Sequence, residues 1–340
     1  MNLPVENLYA KFGDPYRVVE FRAFSFNTCR AGCKNCFYQK TNNEFYDFQK
    51  CYDMAVEFKK NNYTLETFYI LPTDIFENDF NYRVFYDEKF KSVAKLFNYI
   101  GVASTLRHGY DQKIFDYFFH EFPGLRIELH VNLLEEEIGK PEYVRFLSST
   151  LTQIKQQYGD NILINLALNI GSEWSLEMLN EVKSLVSQYS QDKILELNFT
   201  FMFNDKISHA EKARLIESSY PVLEYFGSEF QRTERRFNSR TLLRKPSITF
   251  KNDRIYLSPI IPFDEYIFMD QPEYQLAETN FDSFLKTYQN IEAKNTPQRD
   301  ECHSCDHFEF CYGKGFFSIM NHYNLPCLQV CGGKNDNGSR

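Results

Sequence analysis

Cys29, Cys33 and Cys36 stand together in the string C-R-A-G-C-K-N-C-F-Y, a C-x-x-x-C-x-x-C spacing. Cysteine thiolates are the usual ligands of iron–sulfur clusters. Three on one loop can hold three irons of a four-iron cluster and leave the fourth open to a ligand that is not protein. An open coordination position marks a site for chemistry rather than for structure alone. A second group, Cys302, Cys305, Cys311, Cys327 and Cys331, crowds the C-terminal end and begins as C-x-x-C-x-x-x-x-x-C. Three close cysteines with another downstream can wrap a second cluster or a zinc ion. The remaining cysteine, Cys51, falls in phase with Phe48 and Ala55 on an expected helix. It is expected to pack as a small hydrophobe.

The elements that must position these thiols follow from periodicity. Residues 18–27 alternate and are rich in β-branched and aromatic side chains, so they read as a strand that delivers the first cysteine loop. Apolar spacing then predicts a helix over 44–60, a strand at 67–71, a helix at 88–98 and a strand at 99–104. A helix at 111–121, stopped by Pro123-Gly124, precedes a strand at 126–133. Pro141 opens a helix running to about Tyr158, followed by a strand at 162–168. Ser172 or Ser175 is expected to cap a helix ending near Tyr189. A strand at 194–203 and a helix at 208–219 complete six strand–helix units. Such an alternation predicts an α/β fold with a parallel sheet and right-handed crossovers. Six units are too few to close an eight-stranded barrel, so an open, partial barrel is expected, with its chemistry at the C-terminal ends of the strands. Beyond residue 220 the rhythm breaks. Residues 247–258 read as a hairpin turning at Asn252-Asp253, and a helix at 281–292 leads into the cysteine-rich tail.

On its cysteine string, and on the place of that string after the first of these strands, the chain resembles the radical S-adenosylmethionine (radical SAM) superfamily. The resemblance implies a partial (β/α)6 TIM-like barrel over residues 1–220. It also implies a [4Fe-4S] cluster on Cys29, Cys33 and Cys36 whose open iron binds SAM. Reductive cleavage of SAM to a 5′-deoxyadenosyl radical would then abstract a substrate hydrogen. The tail, residues 221–340, resembles the SPASM and twitch extensions of that superfamily. Full SPASM domains carry two further cysteines where this chain has Gly315 and Ser258. One auxiliary [4Fe-4S] cluster is therefore implied, on Cys302, Cys305, Cys311 and either Cys327 or Cys331. Superfamily members usually place Gly-Gly-Glu after the second strand to bind the SAM ammonium. Here that place is L-P-T-D-I-F-E, so Thr73 and Asp74 become the candidates, with an ordinary turn capped by Asp74 as the local alternative. Where an aromatic residue usually precedes the third cysteine this chain has Asn35, and Phe37 and Tyr38 just after it are the candidates to meet adenine. Polar residues at expected strand ends, Ser104, Arg107, His130, Asn132 and Asn169, are candidate donors for the SAM carboxylate and ribose.

Composition limits the alternatives. A net charge of −8 argues against a nucleic-acid binder. No apolar run approaches the roughly 20 residues that span a bilayer. The N-terminus has no basic region followed by an apolar stretch, and nine cysteines without an export signal point to metal binding in a reducing compartment, so the cytoplasm is expected. A radical SAM enzyme would need an electron donor such as flavodoxin or ferredoxin. The expected substrate is a peptide, the alternative a small molecule such as an amino sugar or nucleoside. With 28 residues before Cys29, the chain is expected to lack an N-terminal peptide-recognition domain and could use one on a separate protein. A non-catalytic zinc-binding adaptor is the distant alternative. It is disfavoured because the first group has three ligands and no histidine at zinc-finger spacing.

Overall fold

The computed structural model describes residues 17–24, 48–77, 81–170, 174–189, 195–201, 246–251, 253–258 and 272–295, with the single positions 208, 210, 214 and 225. Both cysteine groups, Phe37, Tyr38, Gly315 and the cysteine-rich tail lie outside the described residues.

Strand and helix alternate as the periodicity predicts. The order is β1 (Val18–Phe24), α1 (Gln49–Lys60), β2 (Thr64–Asp74), α2 (Glu88–Ala94), β3 (Tyr99–Ser104), α3 (Gln112–Glu121) and β4 (Arg126–Leu133). A single turn, α4 (Glu135–Ile138), precedes α5 (Pro141–Tyr158), β5 (Ile162–Ile170), α6 (Leu176–Tyr189) and β6 (Leu195–Phe201). The hairpin β7 (Ser247–Lys251) and β8 (Arg254–Ser258) and the helix α7 (Phe281–Asn295) close the described chain. Local chemistry accounts for several boundaries. Asp87 and Asp111 accept from Phe90 N and Lys113 N to start α2 and α3. Ser175 accepts from Met178 N at 3.2 Å and so starts α6. The hairpin turns as expected, with Asp253 at φ 61°, a left-handed conformation that aspartate tolerates. The helix expected at 208–219 is described only at single positions.

The strands form one sheet in the order β6-β5-β4-β3-β2-β1-β7-β8. Seven strands are parallel, and β8 runs antiparallel to β7. Consecutive strands are neighbours from β1 to β6, as helical crossovers of one hand require. The hairpin does not stand apart from this sheet. β7 lies on the other side of β1, with Glu20 opposite Ser247 and Ala23 opposite Phe250. β1, the strand that leads into the first cysteine loop, is therefore an inner strand.

The two faces of the sheet differ in chemistry. On β4, Ile127, Leu129, Val131 and Leu133 are fully buried in the apolar core, while Glu128, His130 and Asn132 alternate with them on the other face. The same alternation sets Phe21 against Glu20 and Arg22 on β1, and Phe68 against Thr67 and Tyr69 on β2. The apolar face packs on the helices. Cys51 of α1 is buried there among Met54, Ala55 and Phe58. Phe58 is edge-on to Phe21 at 5.9 Å and meets Phe281 and Phe284 of α7 at 5.5 and 5.0 Å. The polar face lines the interior of the curved sheet. Among the described residues, no helix is long and apolar enough to cross a membrane.

Candidate functional site

In a parallel sheet the C-terminal strand ends gather along one edge; β1 ends there at Phe24, five residues before Cys29 in the sequence. Beside it, β2 is longer than the periodicity predicts because it runs on through a bulge. Leu71 pairs with Phe24 on the β1 side, but on the β3 side the register jumps from Ile70 opposite Val102 to Asp74 opposite Ala103. Leu71, Pro72 and Thr73 are thus outside the β2–β3 ladder, and Pro72 has no N–H to offer it. The strand is recaptured at Asp74. One carboxylate oxygen accepts from Ser104 Oγ at 3.0 Å, Thr105 N at 2.5 Å and Thr105 Oγ1 at 3.0 Å; the other accepts from Phe76 N at 3.0 Å. Ile75 N then donates to Ala103 O at 2.9 Å. Burial pushes the Asp74 carboxyl up, against the downward pull of these hydrogen bonds. Asp74 therefore forms the local turn and also fastens the end of β2 to the end of β3.

The remaining expected residues separate around this latch. Ser104 is fully buried, donates to Asp74 and accepts from Leu106 N at 2.9 Å. Arg107 turns to Glu136 and Glu137 at 3.5 and 3.2 Å, beside α4. Asn132 is half-buried at the upper part of β4, opposite Ala167. Asn169 lies near the end of β5, opposite Thr200. Thr73 belongs to the bulge. The strand-end residues Asp74 and Ser104 are brought together; Arg107 is directed elsewhere.

A second feature is a polar cluster on the inner face one layer below the bulge, of which sequence reading singled out only His130, as a candidate donor to SAM. Glu128 is its hub. Thr67 Oγ1 and Tyr69 Oη donate to its two carboxylate oxygens at 2.8 Å each, and Asn165 Nδ2 donates as well. His130 Nε2 lies 3.2 Å from the same carboxylate. Burial acts to raise the Glu128 carboxyl, but His130, Tyr69 and Thr67 outweigh it and hold it at about 2. Burial first, then the Glu128 and Glu20 carboxylates, push the Tyr69 phenol well above its usual range, so it remains a donor. Tyr69 reaches Glu128 across β3, the strand between them. It can do so because Gly101 stands in that row, opposite both residues. A Cβ on Gly101 would come within 1.9 Å of Tyr69 Cδ1. Arg22 lies over the other side of the arrangement, 5.3 Å from the Tyr69 ring and 4.0 Å from Glu20. The signal was present in the sequence, as charged residues at alternate positions of apolar strands. What joins residues from β2, β4 and β5 is their register.

No family model matches the sequence, and no curated relative does. Solved structures do match the fold. An anaerobic sulfatase-maturating radical SAM enzyme, anSMEcpe with bound AdoMet, aligns with a TM-score of 0.50 and 11% identity, over 87% of this chain and 88% of that one. A second anSMEcpe structure, with bound AdoMet and the Cp18Cys peptide, aligns with a TM-score of 0.50 and 11% identity, over 90% and 99% of the two chains. The chain shares with these structures a partial TIM-like α/β fold. At this identity the likeness is one of fold, and it agrees with the open parallel sheet.

Proposed function

We propose that this chain is a radical SAM enzyme that acts on a peptide. The observation that carries the reading is the C-x-x-x-C-x-x-C string that begins five residues after β1 in the sequence, in a chain whose sheet is folded like that of AdoMet-bound enzymes. The donor set fits the group. Three thiolates are soft ligands suited to an iron–sulfur cluster, and their number leaves one iron for SAM. When bound, the [4Fe-4S] cluster and SAM would supply a 5′-deoxyadenosyl radical able to take a hydrogen atom from the substrate. The chain's own part is to hold and orient. Cys29, Cys33 and Cys36 carry the cluster. Thr73 and Asp74 would be the candidates for the SAM ammonium, although both Asp74 carboxylate oxygens already accept from Ser104, Thr105 and Phe76, and Phe37 and Tyr38 would meet adenine. Asn132 and Asn169 supply amide donors to the carboxylate and ribose, while Ser104 acts through Asp74.

Cys302, Cys305, Cys311 and either Cys327 or Cys331 hold one auxiliary [4Fe-4S] cluster in this reading, on the strength of their spacing. A peptide substrate is supported by the Cp18Cys peptide bound to one of the similar structures. A flavodoxin or ferredoxin would deliver the electron in the cytoplasm, and a separate peptide-recognition protein could present the substrate.

The test is anaerobic incubation of the reconstituted protein with SAM and dithionite. Release of 5′-deoxyadenosine, lost in Cys33→Ala, is the expected result. No release from a fully reconstituted parent overturns the reading. Iron analysis addresses the tail: about eight irons per chain are expected for two four-iron clusters, and about four would remove the auxiliary one.

A further inference from the structure

His130 sits on β4 one inner-facing position above Glu128, in the row that contains Ala103 of β3 and Asn165 of β5. Across β3 this row meets Asp74, where the bulged end of β2 resumes its ladder. The His130 side chain is 22% exposed against 7% for Glu128, so the imidazole is the part of the pair that reaches solvent. Its ring stands edge-on to Tyr69, with centroids 5.0 Å apart. A carboxylate only accepts, so Nε2, which faces it at 3.2 Å, carries the proton; Asn165 Nδ2 lies 3.4 Å from the same nitrogen but donates to Glu128. In the neutral ring Nδ1 is then the acceptor, and among the described residues nothing donates to it. The row holds a second acceptor without a partner among the described residues, the buried Oδ1 of Asn165.

We infer that His130, oriented by Glu128, is a proton acceptor of the barrel interior that takes a proton from a hydroxyl or ammonium group of the substrate. In this step the O–H or N–H bond of the substrate breaks and its electron pair stays on the heteroatom. An N–H bond forms on Nδ1, and the ring becomes an imidazolium beside the Glu128 carboxylate. No electron is transferred. Glu128 is a positioning residue: it fixes the tautomer and supplies the counter-charge. Other polar groups around the pair are Thr67 and Tyr69 on β2 and Asn165 on β5. Arg22 and Glu20 lie beyond Tyr69 on β1, and Glu196 is next in the row on β6. The small residues Gly101 and Ala103 are the inner-facing positions of β3 at these levels. The inference rests on the radical SAM reading for the reaction it serves, but its test uses neither cluster nor SAM cleavage.

The test is made on the full chain labelled with 15N-histidine, using long-range 1H–15N correlations assigned through His130→Gln. The neutral ring of His130 is expected to carry its proton on Nε2 and to bind the second one on Nδ1. In parallel, diethyl pyrocarbonate labelling is read peptide by peptide by mass spectrometry, with the exposed His108 and His120 as internal references. His130 is expected to react with the reagent. Glu128→Gln is expected to raise the share of the Nδ1–H tautomer of His130, because the carboxylate that accepts from Nε2 is gone. An Nδ1–H tautomer in the parent chain, or a His130 left unmodified when His108 and His120 are fully labelled, overturns the inference. If Glu128→Gln does not fold, the tautomer and labelling of the parent chain still decide. A chain that releases 5′-deoxyadenosine yet shows the wrong tautomer loses this inference alone.

Discussion

At the scale of single residues, Gly101 and Glu128 carry the clearest consequences. Gly101 is small because the Tyr69 ring occupies the space a side chain would fill. Gly101→Ala is expected to displace that ring and break its bond to Glu128, costing about 2–3 kcal/mol in urea denaturation. In a Tyr69→Ala background the same substitution is expected to cost under about 1 kcal/mol, since nothing remains to clash; equal costs in both backgrounds would refute the steric account. Glu128 makes stability depend on acid. Its carboxyl is held at about 2, below the 4.5 of an unperturbed glutamate. Its contribution is therefore complete above about pH 5 and is lost as pH falls towards 2, an effect of about 3 kcal/mol. Asp74 has the opposite sign, since its carboxyl is raised. Urea midpoints measured from pH 6 to pH 2.5 should fall steeply in the parent and less in Glu128→Gln.

At the scale of elements, the end of β2 is the informative piece. A three-residue bulge containing a proline would ordinarily end a strand. Here Asp74 restores the ladder by gathering donors from Ser104, Thr105 and Phe76. An amide at this position can accept with one atom only and turns a donor towards other donors. Asp74→Asn is expected to cost about 2 kcal/mol or more. Hydrogen exchange should quicken first at Ile75 and Leu106, whose amides bond to Ala103 O and Ser104 Oγ. Exchange that quickens uniformly along the sheet would mean that Asp74 does not act locally. Most elements were legible from periodicity, including β3, β4, α5 and the hairpin. The extension of β2 to Asp74 was not, because its last residues are held by a side chain that bonds 30 residues away, to Ser104.

At the scale of the whole molecule, Phe58 joins parts that are distant in the chain. It packs on Phe21 of β1, Tyr63 ahead of β2, and Phe281 and Phe284 of α7. Phe58→Ala is expected to cost about 3–5 kcal/mol, and the loss should be less than additive with Phe284→Ala, measured as a double-mutant cycle in urea. Strict additivity would mean that α7 is not seated on α1. The sequence by itself determined the strand–helix rhythm, the open parallel sheet and the cysteine spacing, because periodicity and ligand spacing are local properties of the chain. Tertiary structure alone decided that the C-terminal hairpin joins the sheet beside β1 and that Asp74 meets Ser104. It also decided that Tyr69 crosses Gly101 to reach Glu128 and His130. Those meetings depend on strand order and register, which bring together residues tens of positions apart and leave no mark in any short stretch of sequence.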